Sequence, residues 1–168
     1  MNTFRKTRTS DINEVMEVIT QGQAYLKSIG VDQWQNGYPN EEVIKEDIAI
    51  GYGYVLECHK KIIGTVAISF DGEPWYDGIY DGKWLTNEDF LVIHRLAVSD
   101  DVRGTDVATE ILRQAEQLCA LRGVRSIKID THKDNIVMQK FIKKNGFVYC
   151  GMVILGSEGE RLAFEKTF

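Results

Sequence analysis

Residues 91–110 read LVIHRLAVSDDVRGTDVATE. An apolar run closes on Leu96-Ala97-Val98, a polar turn carries Arg103-Gly104, and Val107 opens an amphipathic helix. A strand, a tight turn and a helix N-terminus in succession leave several backbone N–H groups unpaired at the positive end of a helix dipole. Such an end suits a diphosphate, so the stretch predicts an anionic ligand there. Further on, Val107, Ile111, Ala115 and Leu118 recur every three or four positions. That spacing lays one helix face on a sheet and leaves the N-terminal end pointing outwards.

Working outward, Thr3 to Arg8 reads as a first strand, and Ser10-Asp11 is an N-cap signal for a helix from Ile12 to about Ser28. A turn-rich stretch, GVDQWQNGYPN, leads to a second helix, Glu41 to Ile50. Strands are predicted at Tyr52 to Cys58, Lys61 to Phe70, Asp89 to Val98 and Ser126 to Asp130, with the main helix at Val107 to Leu121. Ile136 to Lys144 reads as a helix closed by Asn145-Gly146, and Val148 to Leu155 and Arg161 to Lys166 as two final strands.

With 168 residues, 43% of them hydrophobic and 27% charged, the chain reads as one domain spanning 1–168. The N-terminus has no apolar run like that of a signal peptide, and there is no uncharged apolar stretch of about 18 residues. Export and membrane spanning are disfavoured, and a cytoplasmic location is expected. Cys58, Cys119 and Cys150 are odd in number and far apart, which predicts buried free thiols. The histidines at 59, 94 and 132 are scattered, so no metal site is expected. A net charge of −5 argues against nucleic-acid binding, which needs a basic face. No dinucleotide-binding glycine motif, P-loop or nucleophile elbow is present.

The turn at 103–108 resembles the acyl-CoA-binding motif of the GCN5-related N-acetyltransferase (GNAT) family. Arg103 and Ala108 fill its first and last positions, and Asp106 stands where the family has glycine. Asn135 and Asn145-Gly146-Phe147 are similar to the family's later signature, with Met138, Phe141 and Ile142 in place of its Ala, Leu and Tyr. The resemblance implies an α/β (α+β) fold: a mixed, mostly antiparallel twisted sheet of six to seven strands flanked by about four helices. It implies acetyl-CoA as acyl donor, held by the backbone of Leu96, Ala97 and Val98, by Arg103, Gly104, Thr105, Asp106, Val107, Ala108 and Thr109, and by Asn135. An inward Asp106 carboxylate about 4 Å from a phosphate charge would be repelled by roughly 4 kcal/mol. Turned outward, it gains about 0.3–1 kcal/mol from the helix dipole.

Acetyl transfer to an amine needs a base, donors for developing negative charge and a route for a proton to the thiolate. His94, two residues before Leu96 and expected on its face, is one candidate base. His132, just past a strand end, and Glu57 are the others, each with a structural alternative, and a water relay could replace all three. The Val98 amide is the candidate main-chain donor. Ile142 stands where the resemblance implies a proton-donating tyrosine, and Tyr149 or Cys150 are the nearby substitutes. For the acceptor, Trp75, Tyr76, Tyr80 and Trp84 alternate with acidic residues in 70–89, a composition that can hold a protonated amine. The same residues read more readily as a twisted hairpin extension packed on the domain or on a second subunit, compatible with a homodimer. Trp34 and Tyr38 either line the acceptor site or plug a gap between helices and sheet. The leading expectation is an N-acetyltransferase acting by direct attack in a ternary complex on a small-molecule or peptide amine. The alternative is a catalytically silent GNAT-fold protein that binds a ligand or partner, motivated by Asp106 and Ile142.

Overall fold

The computed structural model describes residues 1–168. Seven strands, β1 (Asn2–Lys6), β2 (Gly53–Cys58), β3 (Lys61–Ser69), β4 (Leu91–Val98), β5 (Ser126–Thr131), β6 (Val148–Ile154) and β7 (Glu160–Thr167), form one sheet in the order β1-β2-β3-β4-β5-β7-β6. The pairs β1–β2, β2–β3, β5–β7 and β6–β7 are antiparallel, and β4–β5 is parallel. Four helices accompany them: α1 (Ile12–Ser28), α2 (Glu41–Ile50), α3 (Val107–Arg122) and α4 (Ile136–Lys144). None is long and apolar enough to cross a membrane. The expected α/β mixed sheet is therefore the observed one.

Two compact units divide the chain, Met1–Ile68 with His94–Ala115, and Ser69–Ile93 with Glu116–Phe168. In the first, α1 buries Ile12, Val15, Val18, Ile19 and Leu26, a spacing that keeps one face continuous. The first four of those side chains join Ile44, Val55, Ile62 and Ala97 in a core that Met16, Trp34 and Ile48 complete. Asn40 starts α2 by accepting the Val43 N–H at 3.0 Å, and Gly51, at φ 91°, ends it in the left-handed conformation. β1 stops at Lys6, short of the predicted Arg8, because the chain turns there into a 3-10 segment, Thr9–Asp11. Asp11 fastens that turn: its carboxylate accepts the Arg8 N–H and the Arg5 guanidinium, both at 2.7 Å.

The second unit has its own core of Tyr76, Val92, Val153 and Ala163, packed with Ile79, Trp84, Phe90 and Leu155. Residues 70–90 are not the predicted hairpin extension. Their backbone makes a 3-10 turn at Pro74–Gly78 and one antiparallel bridge, Tyr80 to Met152, which lays the segment against β6. Glu165 on β7 holds the far end, accepting the Leu85 N–H at 2.8 Å and the hydroxyls of Thr86 and Ser126 at 2.7 Å each. A fully buried carboxylate tolerates its burial only when donors surround it, as here. Of the three cysteines expected to be buried thiols, Cys119 and Cys150 are buried and Cys58 is partly exposed.

Candidate functional site

The end of β4, the turn after it and the start of α3 belong to the first unit. Asp100–Val102 forms a 3-10 turn, in which the amides of Val102, Arg103 and Thr105 donate to Ser99, Asp100 and Val102. Gly104 is left-handed at φ 81°, with open space where a side chain would stand. The first intrahelical bond of α3 runs from the Glu110 N–H to the Asp106 carbonyl at 2.9 Å. The amides of Val107, Ala108 and Thr109 therefore precede the helical ladder, at the positive end of a 16-residue helix. Thr105 Oγ1 receives the Val107 N–H only at 3.5 Å. Asp106 is exposed.

Arg103 is held on two sides. It donates to Asp100 Oδ1 at 2.6 Å, and its guanidinium lies 4.2 Å from the Tyr25 ring centroid. Lys61 neutralises Asp101 at 2.9 Å, and together with Ser99 it holds the Asp101 carboxyl below the ordinary aspartate range. Two of the three acidic residues in this turn are thus paired with cations.

Arg95 corrects the simple strand reading. It stands inside β4 at φ 53°, a left-handed conformation that costs an ordinary L residue roughly 1–2 kcal/mol. Side chains no longer alternate across it, so the premise that put His94 and Leu96 on one face fails. The half-buried Arg95 side chain makes a bidentate pair with Asp47, Nε to Oδ2 at 2.9 Å and Nη2 to Oδ1 at 2.6 Å. Its Nη1 donates to the Tyr38 hydroxyl at 2.8 Å. Burial works against the guanidinium charge, but Asp47 and Tyr38 together outweigh it, and the pKa is raised above that of a free arginine. No sequence signal marked Arg95 or Asp47. The only trace was Asp47 on the apolar face of α2, three residues after the buried Ile44.

Among the other expected residues of this unit, His94, Leu96 and Val98 are half-buried on β4 and Ala97 is buried. The Trp34 indole packs on α1 at Gly22, beside Ala97, and so takes the gap-filling role. Tyr38 is the residue of that loop whose polar end meets β4. Glu57 accepts Arg5 Nη2 at 2.7 Å, which ties it into a cluster with Asp11.

His132 and Asn135 lie in the second unit. His132 Nδ1 accepts the Asp134 N–H at 3.0 Å. A neutral ring that accepts at Nδ1 carries its proton on Nε2, which makes Nε2 a donor and not a base. Asn135 is buried and caps α4, its side-chain oxygen accepting the Met138 N–H at 3.1 Å. Ile142 is 0% exposed and packs in the core. Tyr149 sits edge-on to Phe164, and burial raises the Cys150 thiol above its ordinary value.

The expected acceptor aromatics divide. Tyr76 is 1% exposed and donates to Asp130 Oδ2 at 2.6 Å, its pKa pushed far up by burial and then by Asp130. Trp84 donates to the Tyr76 carbonyl at 2.8 Å and packs against the Tyr76 ring at a tilt of 42°, centroids 5.0 Å apart. The cation over its face is the chain's own Lys128, 4.3 Å from the Trp84 centroid and 3.9 Å from that of Phe90. Trp75 alone is 54% exposed. No group of three or more His, Cys, Asp or Glu is placed to hold a metal ion.

Comparison with known proteins decides the family. Residues 20–147 match the model of the Acetyltransferase (GNAT) family. The chain belongs to the GNAT family. Among solved GNAT structures, an acetyltransferase from Streptococcus agalactiae superposes with a TM-score of 0.85 at 34% identity, covering 99% of this chain and 95% of that one. The PaiA N-acetyltransferase of Thermoplasma acidophilum, solved in complex with coenzyme A, shares the fold at a TM-score of 0.72 and 15% identity, covering 100% of this chain and 99% of that one. A curated relative, the uncharacterized N-acetyltransferase YesJ of Bacillus subtilis, is 22% identical over 148 residues, which is 84% of this chain and 78% of the relative.

Proposed function

We propose that this GNAT protein is an acetyl-CoA-dependent N-acetyltransferase that acts on a primary amine of a small molecule or peptide by direct attack in a ternary complex. The observation that carries the reading is the N-terminus of α3. There the amides of Val107, Ala108 and Thr109 precede the first intrahelical bond, and the left-handed Gly104 leaves open space beside them. Amides at a helix N-terminus complement a diphosphate, so these residues fit the carrier. The Thermoplasma relative of this fold holds coenzyme A, and family membership supports the same donor here.

When bound, acetyl-CoA supplies an activated acyl group and a sulfur leaving group that needs little help from a proton donor. The chain's own residues do the rest. The main chain of Leu96, Ala97 and Val98 offers strand-like hydrogen bonds to an extended ligand arm, and the Val98 N–H is a donor fixed in advance for developing negative charge. Asp106, exposed, leaves the helix end open to an anion. The candidate bases are His94, half-buried on β4, Glu57, paired with Arg5, and His132, whose Nδ1 accepts the Asp134 N–H, and a water relay can replace all three. Ile142 carries no proton that it could give to a thiolate leaving group.

A thermal-shift titration tests this reading. Ligand at about 100 times its Kd stabilises by about 2.7 kcal/mol. For a domain of this size that is a rise in Tm of about 5–10 °C. Thiol release on addition of amines from a mixed panel then identifies turnover. An unchanged Tm at millimolar acetyl-CoA would overturn the proposal, and a rise without thiol release would favour a silent binder.

A further inference from the structure

Arg95 holds a conformation that its own backbone resists. Its φ of 53° lies in the left-handed region, which disfavours any residue with a Cβ, and it stands inside β4 directly before Leu96, Ala97 and Val98. Glycine would adopt this φ freely, so the arginine side chain supplies something that glycine lacks. Two of its nitrogens close on the Asp47 carboxylate at 2.9 and 2.6 Å, and a third donates to the Tyr38 hydroxyl at 2.8 Å. Asp47 is 7% exposed, and α2 fixes its place, since its carbonyl accepts the N–H groups of Gly51 and Tyr52 at 3.0 and 2.8 Å. A planar fork joined to a carboxylate at two points resists rotation. From the side, α2 thus grips β4 at the residue where the strand changes direction, and a strained backbone persists where its surroundings hold it in this way.

Resting on the reading above, we propose that Asp47 is a positioning residue for the acyl donor. Through Arg95 it holds the left-handed kink of β4, and the kink sets the direction in which the main chain of Leu96–Val98 meets the donor's extended arm. Asp47 itself touches no ligand.

Removing one member of the pair strands the other and unsettles the fold. The comparison therefore uses double variants from which the pair is gone altogether. Asp47→Asn with Arg95→Gly carries a residue at 95 that takes the left-handed φ without a clamp, and Asp47→Asn with Arg95→Ala differs from it by one methyl group. Calorimetry with coenzyme A gives affinity, and the amide NMR shifts of Leu96–Val98 in the free proteins report the kink. The glycine double variant is expected to bind within about twofold of the wild type and to keep its Leu96–Val98 shifts. The alanine double variant is expected to bind about tenfold more weakly, with those shifts displaced, because the competent backbone is less populated. Arg95→Asn in the same background, which tolerates the left-handed region better than alanine, should fall between the two. A merely stabilising pair would lower the Tm of all the double variants and leave their affinities alike. Equal affinities in a series whose wild type binds coenzyme A overturn this proposal alone, and no binding heat in the wild type overturns the proposed function beneath it.

Discussion

Asp106 and Arg95 show how differently two unusual residues weigh on a site. Asp106 replaces a glycine of the family motif, and its side chain is exposed at the start of α3. Arg95 broke no sequence pattern, since arginine at the centre of a half-buried strand raises no alarm, and its left-handed backbone is visible only in three dimensions. Trp34, also left-handed at φ 65°, was equally hidden. Asp11 yields a prediction at this scale. Its hydrogen bond to Arg5 lowers its pKa, against the opposing effect of burial. A carboxylate with a folded pKa below the unfolded one stabilises at pH above the unfolded value, and the contribution fades as pH falls through the folded value. Urea midpoints of the wild type should accordingly exceed those of Asp11→Asn at pH 6, with the gap shrinking below about pH 3.5. A gap that stays constant down to pH 2 would show that Asp11 contributes no charge-dependent stability.

Helices were the legible elements. Asn40 before α2, Gly51 after it, Asn135 before α4 and Asn145-Gly146 after it are short polar or glycine residues whose capping geometry leaves a mark in the sequence. The turn into α3 was legible for the same reason, as a glycine beside a run of small residues. The segment 70–90 was not. Its aromatics Tyr76, Tyr80 and Trp84 fall four residues apart, but Pro74, Gly78 and Gly82 interrupt any helix there, and the segment's partners, Met152, Glu165, Lys128 and Asp130, are far away in the chain. Nor could its composition tell an aromatic face that awaits an amine from one already covered by Lys128. Gly82 tests the docking of this segment. A Cβ there would stand 1.9 Å from the Cys150 carbonyl oxygen, backbone that cannot swing aside. Gly82→Ala should therefore cost about 1–3 kcal/mol in chemical denaturation, whereas Gly78→Ala, with no atom near its Cβ, should cost far less. Equal losses would mean that the segment is not seated against β6 as described.

For the whole molecule, the strand order, the parallel β4–β5 pair and four helices are what family membership leads one to expect, and a structure at 34% identity repeats them along nearly the full chain. The chemistry is more local than the fold. In the function we propose it rests on a few main-chain donors at the end of β4 and the start of α3, where backbone direction counts for more than a side-chain replacement such as Asp106. The setting of loop side chains stayed out of reach of the sequence, because a residue such as Tyr38 takes its orientation from a distant one, Arg95. Backbone amide NMR during a coenzyme A titration tests the central claim most directly. The account predicts saturable shifts concentrated at Leu96–Val98 and Val107–Thr109. An unperturbed spectrum at millimolar coenzyme A, or shifts that leave the Val107–Thr109 amides unmoved, would contradict it.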